Sequence, residues 1–326
     1  MRQDLLPANA VLAANGIRDH IRETPLDYSQ FFSELTGANV WLKLENLQYT
    51  GSFKLRGAFN KLLSLTPEEA AAGCVAASSG NHGAAVAHAM SKLGISGVVF
   101  VPETASSTKI DSIRRAGAEV RLFGTDGLDT EQHARQYATE NQLVYLSPYN
   151  DPVVIAGQGS CGVEIARQLP HVDAIFIAVG GGGLISGVGS FLKSVHRDMD
   201  VIGCQPAASA VMAKSAEAGE IVEIPSDPTL SDGTAGGIEA GAITFDICQT
   251  IVDHYVLVSE DEIASAMREF IDSHHMLLEG AAGVALAGLK QIAANYRGRN
   301  VVVIICGGNI SRDTLRDVIQ DPEDGK

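Results

Sequence analysis

The sequence has no apolar run long enough to cross a bilayer; the densest, around Val301 to Cys306, is far too short. The first ten residues, MRQDLLPANA, contain no apolar signal core, so a soluble cytoplasmic chain is expected. Paired cysteines are absent too. Cys74, Cys161, Cys204, Cys248 and Cys306 are scattered with no CxxC spacing, and an odd, unpatterned set reads as buried reduced thiols. Basic charge is scarce: 24 Lys and Arg stand against 39 Asp and Glu, a net charge of −15. Such a surface repels phosphate backbones and anionic lipid, so neither nucleic acid nor a membrane is an expected partner. Small anions held by local groups remain possible ligands. The sequence also lacks an internal repeat, a low-complexity tract or a flexible linker. It is rich in apolar residues: 45% are hydrophobic and 19% charged over 326 residues. That is enough for a large core, and at roughly 150 residues per domain it suggests about two domains.

Short β-branched runs alternate with helix-length stretches almost throughout. Strands are predicted at Val40–Leu44, Cys74–Ala77, Gly97–Val101, Glu119–Phe123, Leu143–Leu146, Ala174–Val179, Val201–Cys204, Tyr255–Val258 and Val301–Ile305. Helix starts are marked by Thr66, Pro67 and Glu69, and again by Ser259 and Glu262 followed by apolar Ile263, Met267 and Ile271. Repeated strand–helix units imply right-handed crossovers and a parallel sheet covered on both faces. The acidic tail, Asp321 to Lys326, is expected to be disordered. Ligands of such sheets sit beyond the carboxyl ends of the strands, and four loops in those positions are unusual.

The first loop is Thr50 to Gly57, reading TGSFKLRG. Ser52 is expected to cap a helix starting near Phe53, which puts Lys54 in its first turn. A cation is disfavoured there, and burial with the positive helix end would lower its pKa, as an imine-forming amine requires. An ordinary surface lysine would read the same way. The second loop, SSGNHG from Ser78 to Gly83, follows an apolar strand and exposes backbone donors suited to a carboxylate or phosphate. A plain capped helix start with a structural His82 is the alternative. The third, VGGGGL from Val179 to Leu184, has four glycines whose amides can wrap a phosphate. It fits neither GxGxxG, whose third glycine would fall on Ile185 or Ser186, nor a P-loop, where Val188 replaces the lysine. A tight packing turn is its alternative. The fourth, ICGGN from Ile305 to Asn309, offers Cys306 as a weak hydrogen-bonding group or simply a buried thiol.

SFKLRG followed at this interval by SSGNHG, VGGGGL and CGGN resembles the threonine dehydratase and serine racemase group of pyridoxal-phosphate enzymes, from about Arg22 to Asn309. The resemblance implies an α/β fold like the tryptophan synthase β chain (fold type II): two open, mostly parallel sheet domains covered by helices. Residues 47–148 would form a small domain inserted into a larger one of 1–46 and 149–326. It further implies that Lys54 holds the cofactor as an imine, with Phe53 packed beside the ring. Asn81 would meet the cofactor's 3′-oxygen, and Gly180, Gly181, Gly182, Gly183 and Leu184 its phosphate, while Cys306 approaches the pyridine nitrogen. Ser79 matches the hydroxyl on the face opposite the lysine. Ser78, His82 and Asn150 match positions around the substrate carboxylate, and Asp232, Gly233 and Glu279 match positions lining the pocket. Metal-dependent racemases of the group place a glutamate before a proline and an aspartate six residues on. Here Gln205 and Val211 stand there, so no metal is expected. GCQPAASAVM and LSDGTAGGIE also resemble the dehydratases of hydroxyectoine utilisation.

The function expected from this resemblance is dehydration of a small L-β-hydroxy amino acid of the threonine or serine type to a 2-oxo acid and ammonia. Substrate amine would displace Lys54, which then takes the α-proton. A racemase using Lys54 and Ser79 on opposite faces would share every residue named. A nicotinamide oxidoreductase is disfavoured by the failed GxGxxG, and a non-catalytic binding protein would not need Lys54. A homodimer is expected by the same resemblance.

Overall fold

A computed structural model describes residues 3–125 and 127–320; the tail expected to be disordered lies outside the described residues. Ten strands form among them: β1 (Leu26–Tyr28), β2 (Asn39–Leu44), β3 (Cys74–Ala77), β4 (Gly97–Val101), β5 (Glu119–Leu122), β6 (Val144–Tyr145), β7 (Ala174–Ala178), β8 (Asp200–Pro206), β9 (His254–Val258) and β10 (Asn300–Ile305). They make two sheets, ordered β1-β2-β10-β7-β8-β9 and β5-β4-β3-β6. Every pairing is parallel except β1 with β2. Nine strands stand where the sequence predicts them. β1 is not foreseen, because three residues (LDY) with only Leu26 partly covered give no alternation to read.

The central strands are continuous apolar runs because helices cover both faces. All five residues of β7 are buried, as are Val301 to Ile305 of β10. Both predicted capping boxes form, at Thr66 with Glu69 and at Ser259 with Glu262. The helix Lys54–Leu63 joins the two sheets. Its Leu55, Ala58, Phe59 and Leu62 enter the core of the four-stranded sheet, and the Gly57 amide donates to Gln158 of the helix Pro152–Gln168.

Each sheet reverses its strand order once. In the four-stranded sheet the chain runs outward from β3 through β4 to β5, then returns on the other side of β3 as β6. In the six-stranded sheet it runs outward from β7 to β9, then returns beside β7 as β10. A crevice opens at the carboxyl ends of strands where the order reverses. The loops after β3, β6, β7 and β10 therefore all open into such crevices, and three of them carry motifs singled out in the sequence.

Candidate active site

Lys54 is the first residue of its helix, with Phe53 at the cap position and no side-chain cap. The expected Ser52 cap does not form. Ser52 lies in an extended bridge to Gly307, with its hydroxyl buried and unpartnered. The bridge fixes the loop: Phe53 N donates to Cys306 O (3.1 Å), and Gly308 N to Gly51 O (2.9 Å). Lys54 Nζ donates to the carbonyl of Pro148 (2.9 Å) and lies 5.3 Å from the centre of the Phe53 ring. Burial lowers the amine to about 8, although Cys306 and Glu279 pull the other way. An appreciable fraction of Lys54 is therefore uncharged near neutral pH.

Two residues on, Arg56 is fully buried. Its guanidinium donates to both oxygens of Glu45 (2.7 and 2.8 Å) and to both of Glu164 (2.7 Å each). Lys43 Nζ meets the same Glu164 at 2.6 Å. Two cations face two anions, so the cluster is neutral, and it ties the Lys54 helix to β2 and to the helix Pro152–Gln168. Sequence reading did not assemble it. The available signal was a lysine inside the apolar strand NVWLKL and a glutamate among small and apolar helix residues. Charges so placed are buried only when paired.

The loop after β3 carries Ser78, Ser79, Asn81 and His82. Gly80 is the cap residue of the helix Asn81–Leu93, and no side chain caps it. Ser78 Oγ instead accepts from Gly80 N (3.1 Å). His82 Nε2 lies 2.9 Å from the Leu146 carbonyl. A carbonyl only accepts, so Nε2 carries the proton and Nδ1 is a bare acceptor. Burial, reinforced by the Lys54 charge, pushes this imidazole down to about 3. His82 is a neutral tether between the loops after β3 and β6. Ser79 sits half-buried on the turn.

Asn81 leans toward the six-stranded sheet. Its Nδ2 donates to both oxygens of Glu279 (2.9 Å each), and its Oδ1 accepts from Asn309 Nδ2 (2.7 Å). Asn309 appeared in the sequence only as the end of a motif; here it orients Asn81 and also donates to Thr50 O (2.8 Å). The buried Glu279 carboxyl is pushed up to about 7 by burial, against the pull of Asn81. Cys306 Sγ lies 4.0 Å from Glu279 Oε1. Burial and that neighbouring carboxylate raise the thiol well above its usual range, so it stays protonated. Gly233 lies beside them, where an added Cβ would come 3.9 Å from Glu279 Oε1. Asp232 points outward to Lys109 (3.1 Å) on the helix Ser107–Arg115.

The third turn leads from β7 into the helix Gly183–Val195, whose Leu184 is buried. It is backed closely. A Cβ on Gly181 would lie 2.5 Å from the Tyr149 ring, one on Gly183 would lie 3.0 Å from Tyr149 Cβ, and one on Gly180 would lie 3.0 Å from Thr234. Gly182 adopts φ +85°, which side chains other than glycine rarely take. The back of the turn is thus filled, and its amides are what it has to offer a ligand. Asn150, expected near the substrate carboxylate, accepts from Ile243 N (2.9 Å) at the start of the helix Ile243–Ile251. Only its Nδ2 is left to reach a ligand.

Two anion-suited turns, one partly neutral lysine, one protonated thiol and one oriented amide converge here. A family model for pyridoxal-phosphate-dependent enzymes matches residues 17–307. The chain belongs to the pyridoxal-phosphate-dependent enzyme family. The family's cofactor fits this site on a structural ground: the glycine turn is a bare-backbone cradle whose rear leaves no room for a Cβ. An L-threonine ammonia-lyase of Thermotoga maritima is 39% identical over 307 residues, covering 94% of this chain and 76% of that protein. A catabolic L-threonine dehydratase of Staphylococcus aureus is 37% identical over 312 residues, covering 94% and 90%. Among solved structures, threonine deaminase isoform 2 of Solanum lycopersicum superposes with a TM-score of 0.92 at 35% identity, covering 98% of this chain and 93% of that one. Maize serine racemase gives 0.90 at 28% identity, covering 95% of each. The two helix-covered, parallel-rich sheets are therefore fold type II of the pyridoxal-phosphate enzymes. No helix among the described residues is long and apolar enough to cross a membrane, and all five cysteines are free and buried.

Proposed function

We propose that this enzyme is a lyase that converts a small L-β-hydroxy amino acid, threonine or serine, to a 2-oxo acid and ammonia. The observation that carries the reading is Lys54, a half-buried amine lowered to about 8 and donating to the Pro148 carbonyl, on the connector that holds His82 and backs the glycine turn. Similarity to threonine ammonia-lyases over most of the chain supports the same chemistry.

In this reading Lys54 is the covalent anchor of pyridoxal phosphate, with Phe53 beside the ring. Gly180 to Gly183 and Leu184 hold the phosphate through backbone amides. Asn81, set by Glu279 and Asn309, would hold the ring's oxygen, and Cys306, near Gly233, would meet its nitrogen. The cofactor, when bound, withdraws electrons from the substrate's α-carbon. The chain's residues do the rest. Backbone donors at Ser78 to His82, with the Ser78 and Ser79 hydroxyls, receive the substrate carboxylate, and Asn150 lies beside them. Lys54 Nζ, in its neutral form, takes the α-proton and becomes a cation. The water lost across the Cα–Cβ bond is regained when the released enamine hydrolyses, so one amino acid gives one 2-oxo acid and one ammonia.

Ser79 on the opposite face would also permit racemisation, the activity named for the maize neighbour. Cys306 argues against it. A protonated thiol is a weak hydrogen-bonding group and does not hold the ring nitrogen protonated. Such a residue would leave the cofactor a weaker electron sink, a setting that would favour loss of the β-hydroxyl over return of the α-proton. The deciding experiment measures 2-oxo acid release and D-enantiomer formation from one L-substrate on one sample. Elimination should be the faster; faster racemisation would overturn the assignment. We also read residues 47–148 as a domain inserted between 1–46 and 149–326, and the chain as a cytoplasmic homodimer, to be checked by limited proteolysis and sedimentation.

A further inference from the structure

The chain leaves β6 through Leu146 to Asn150 and in five residues touches each part of the site. Leu146 O meets His82, Pro148 O accepts from Lys54 Nζ, and Asn150 Oδ1 accepts from Ile243 N at the start of the helix Ile243–Ile251. Between them Tyr149 lies under the glycine turn. Its ring is flush with Gly181, where a Cβ would come 2.5 Å from Cγ and Cδ1, and its own Cβ sits behind Gly183. Its hydroxyl accepts from Glu239 N (3.0 Å). The Glu239 carboxylate takes Arg135 Nη2 (2.9 Å), from the helix Gly127–Glu140 that covers the four-stranded sheet.

A run of four glycines has no side chains to hold it and loses much backbone entropy when fixed in one shape. A flat aromatic ring gives it a rigid support at low cost in side-chain freedom. From these contacts we propose that Tyr149 is a positioning residue: its ring holds the glycine turn in its anion-binding shape, and its hydroxyl couples that turn, through Glu239 and Arg135, to the four-stranded sheet. The inference rests on reading the turn as the phosphate cradle. It explains why the sequence places an aromatic residue between Pro148 and Asn150 in this connector.

The test exploits the phosphate itself. Chain stripped of cofactor is titrated with pyridoxal 5′-phosphate and, separately, with pyridoxal, which lacks the phosphate; binding is followed by absorbance. The parent should strongly prefer the phosphorylated form. Tyr149→Leu, which keeps apolar bulk but removes the ring, should lower that preference about tenfold or more while leaving pyridoxal affinity within about threefold. Tyr149→Phe, which keeps the ring, should restore most of the preference. Equal losses for both ligands in Tyr149→Leu, an unchanged preference, or a Phe variant no better than Leu would each overturn the role of Tyr149. A parent without any preference for the phosphorylated form would instead overturn the cradle reading.

Discussion

The turns after β3 and β7 are built alike and furnished differently. Each leads from a central parallel strand, at a point where strand order reverses, into the start of a long helix, so each offers the same positive helix end. The first carries two hydroxyls, an amide and an imidazole, and one of those hydroxyls accepts from the turn's own backbone. The second carries no side chain from Gly180 to Gly183 and is supported from behind by a residue far along the chain. Helix-end electrostatics therefore does not tell the two apart; the furnishing does. A bare, braced backbone suits a ligand that stays, and a turn with polar side chains suits one that enters, reacts and leaves.

In the proposed function Lys54 serves the ligands of both turns, so its loss should have the largest effect. Lys54→Ala should reduce turnover by about a thousandfold or more and abolish the lysine adduct trapped by borohydride, read by mass spectrometry. A persistent adduct on another lysine would mean the wrong amine has been chosen. The two turns can then be separated by matched single substitutions. Gly181→Ala places a methyl inside the Tyr149 ring, and overpacking of this kind costs about 1–3 kcal/mol. Cofactor affinity should fall about 10–100-fold while the KM of the amino acid, measured at saturating cofactor, changes little. Ser78→Ala should do the reverse, raising KM about tenfold through one lost hydrogen bond to a charged group and leaving cofactor affinity alone. If both variants weakened both ligands equally, the division of labour would be wrong.

The sequence made the first turn and the glycine run legible because polar or bare residues interrupt apolar strand–helix patterns at the strand ends. What supports them was not legible. Tyr149 acts by packing on Gly181, and nothing local distinguishes its ring from any other half-buried tyrosine. Asn309 was visible only as the end of a motif, since its role is to hold Asn81 across the gap between sheets. The Arg56 cluster had its signals, charges in apolar surroundings, but pairing them requires the topology that brings β2 and the helix Pro152–Gln168 together. Ser52 shows a local rule overridden: the cap residue type was right, yet pairing with Gly307 extends the backbone and moves the cap to Phe53.

Glu279 sharpens the comparison, because its charge state links the two sheets through Asn81. Burial raises its carboxyl from 4.5 to about 7 in the folded chain, so between those values the folded state keeps a proton that the unfolded chain has released. Its contribution to stability is full below about pH 4.5 and is lost as pH rises through about 7. Glu279→Gln removes that titration. Without cofactor, the variant should gain about 3 kcal/mol relative to the parent between pH 4.5 and pH 8. Parallel denaturant-unfolding profiles over that range would contradict it. Cys306→Ser should change less, keeping activity within about threefold, because one neutral weak donor replaces another; a loss above tenfold would show that the thiol itself matters.

The smallest expected effect is none, on removing divalent cations. By the resemblance drawn from the sequence, Gln205 stands where a metal-dependent racemase would carry a glutamate, and its amide is already spent. Nε2 donates to Val179 O (3.0 Å), at the entrance to the glycine turn, and Oε1 accepts from Ala213 N (2.7 Å) in the helix Val211–Ala218. Val211, six residues after Gln205, is buried and apolar. A hard cation needs charged oxygen ligands, and this arrangement instead uses a neutral amide to pin the strand end from which the turn departs. Exhaustive chelation followed by back-titration with magnesium should therefore leave turnover within about 1.5-fold, since no binding free energy is withdrawn from the folded state. Gln205→Glu supplies the converse. The carboxylate cannot donate to Val179 O, so cofactor affinity should fall, and added magnesium should not restore it, because Val211 still provides no second anionic ligand. A reversible loss of rate on chelation in the parent enzyme would mean that backbone carbonyls near Gln205 suffice to hold a cation.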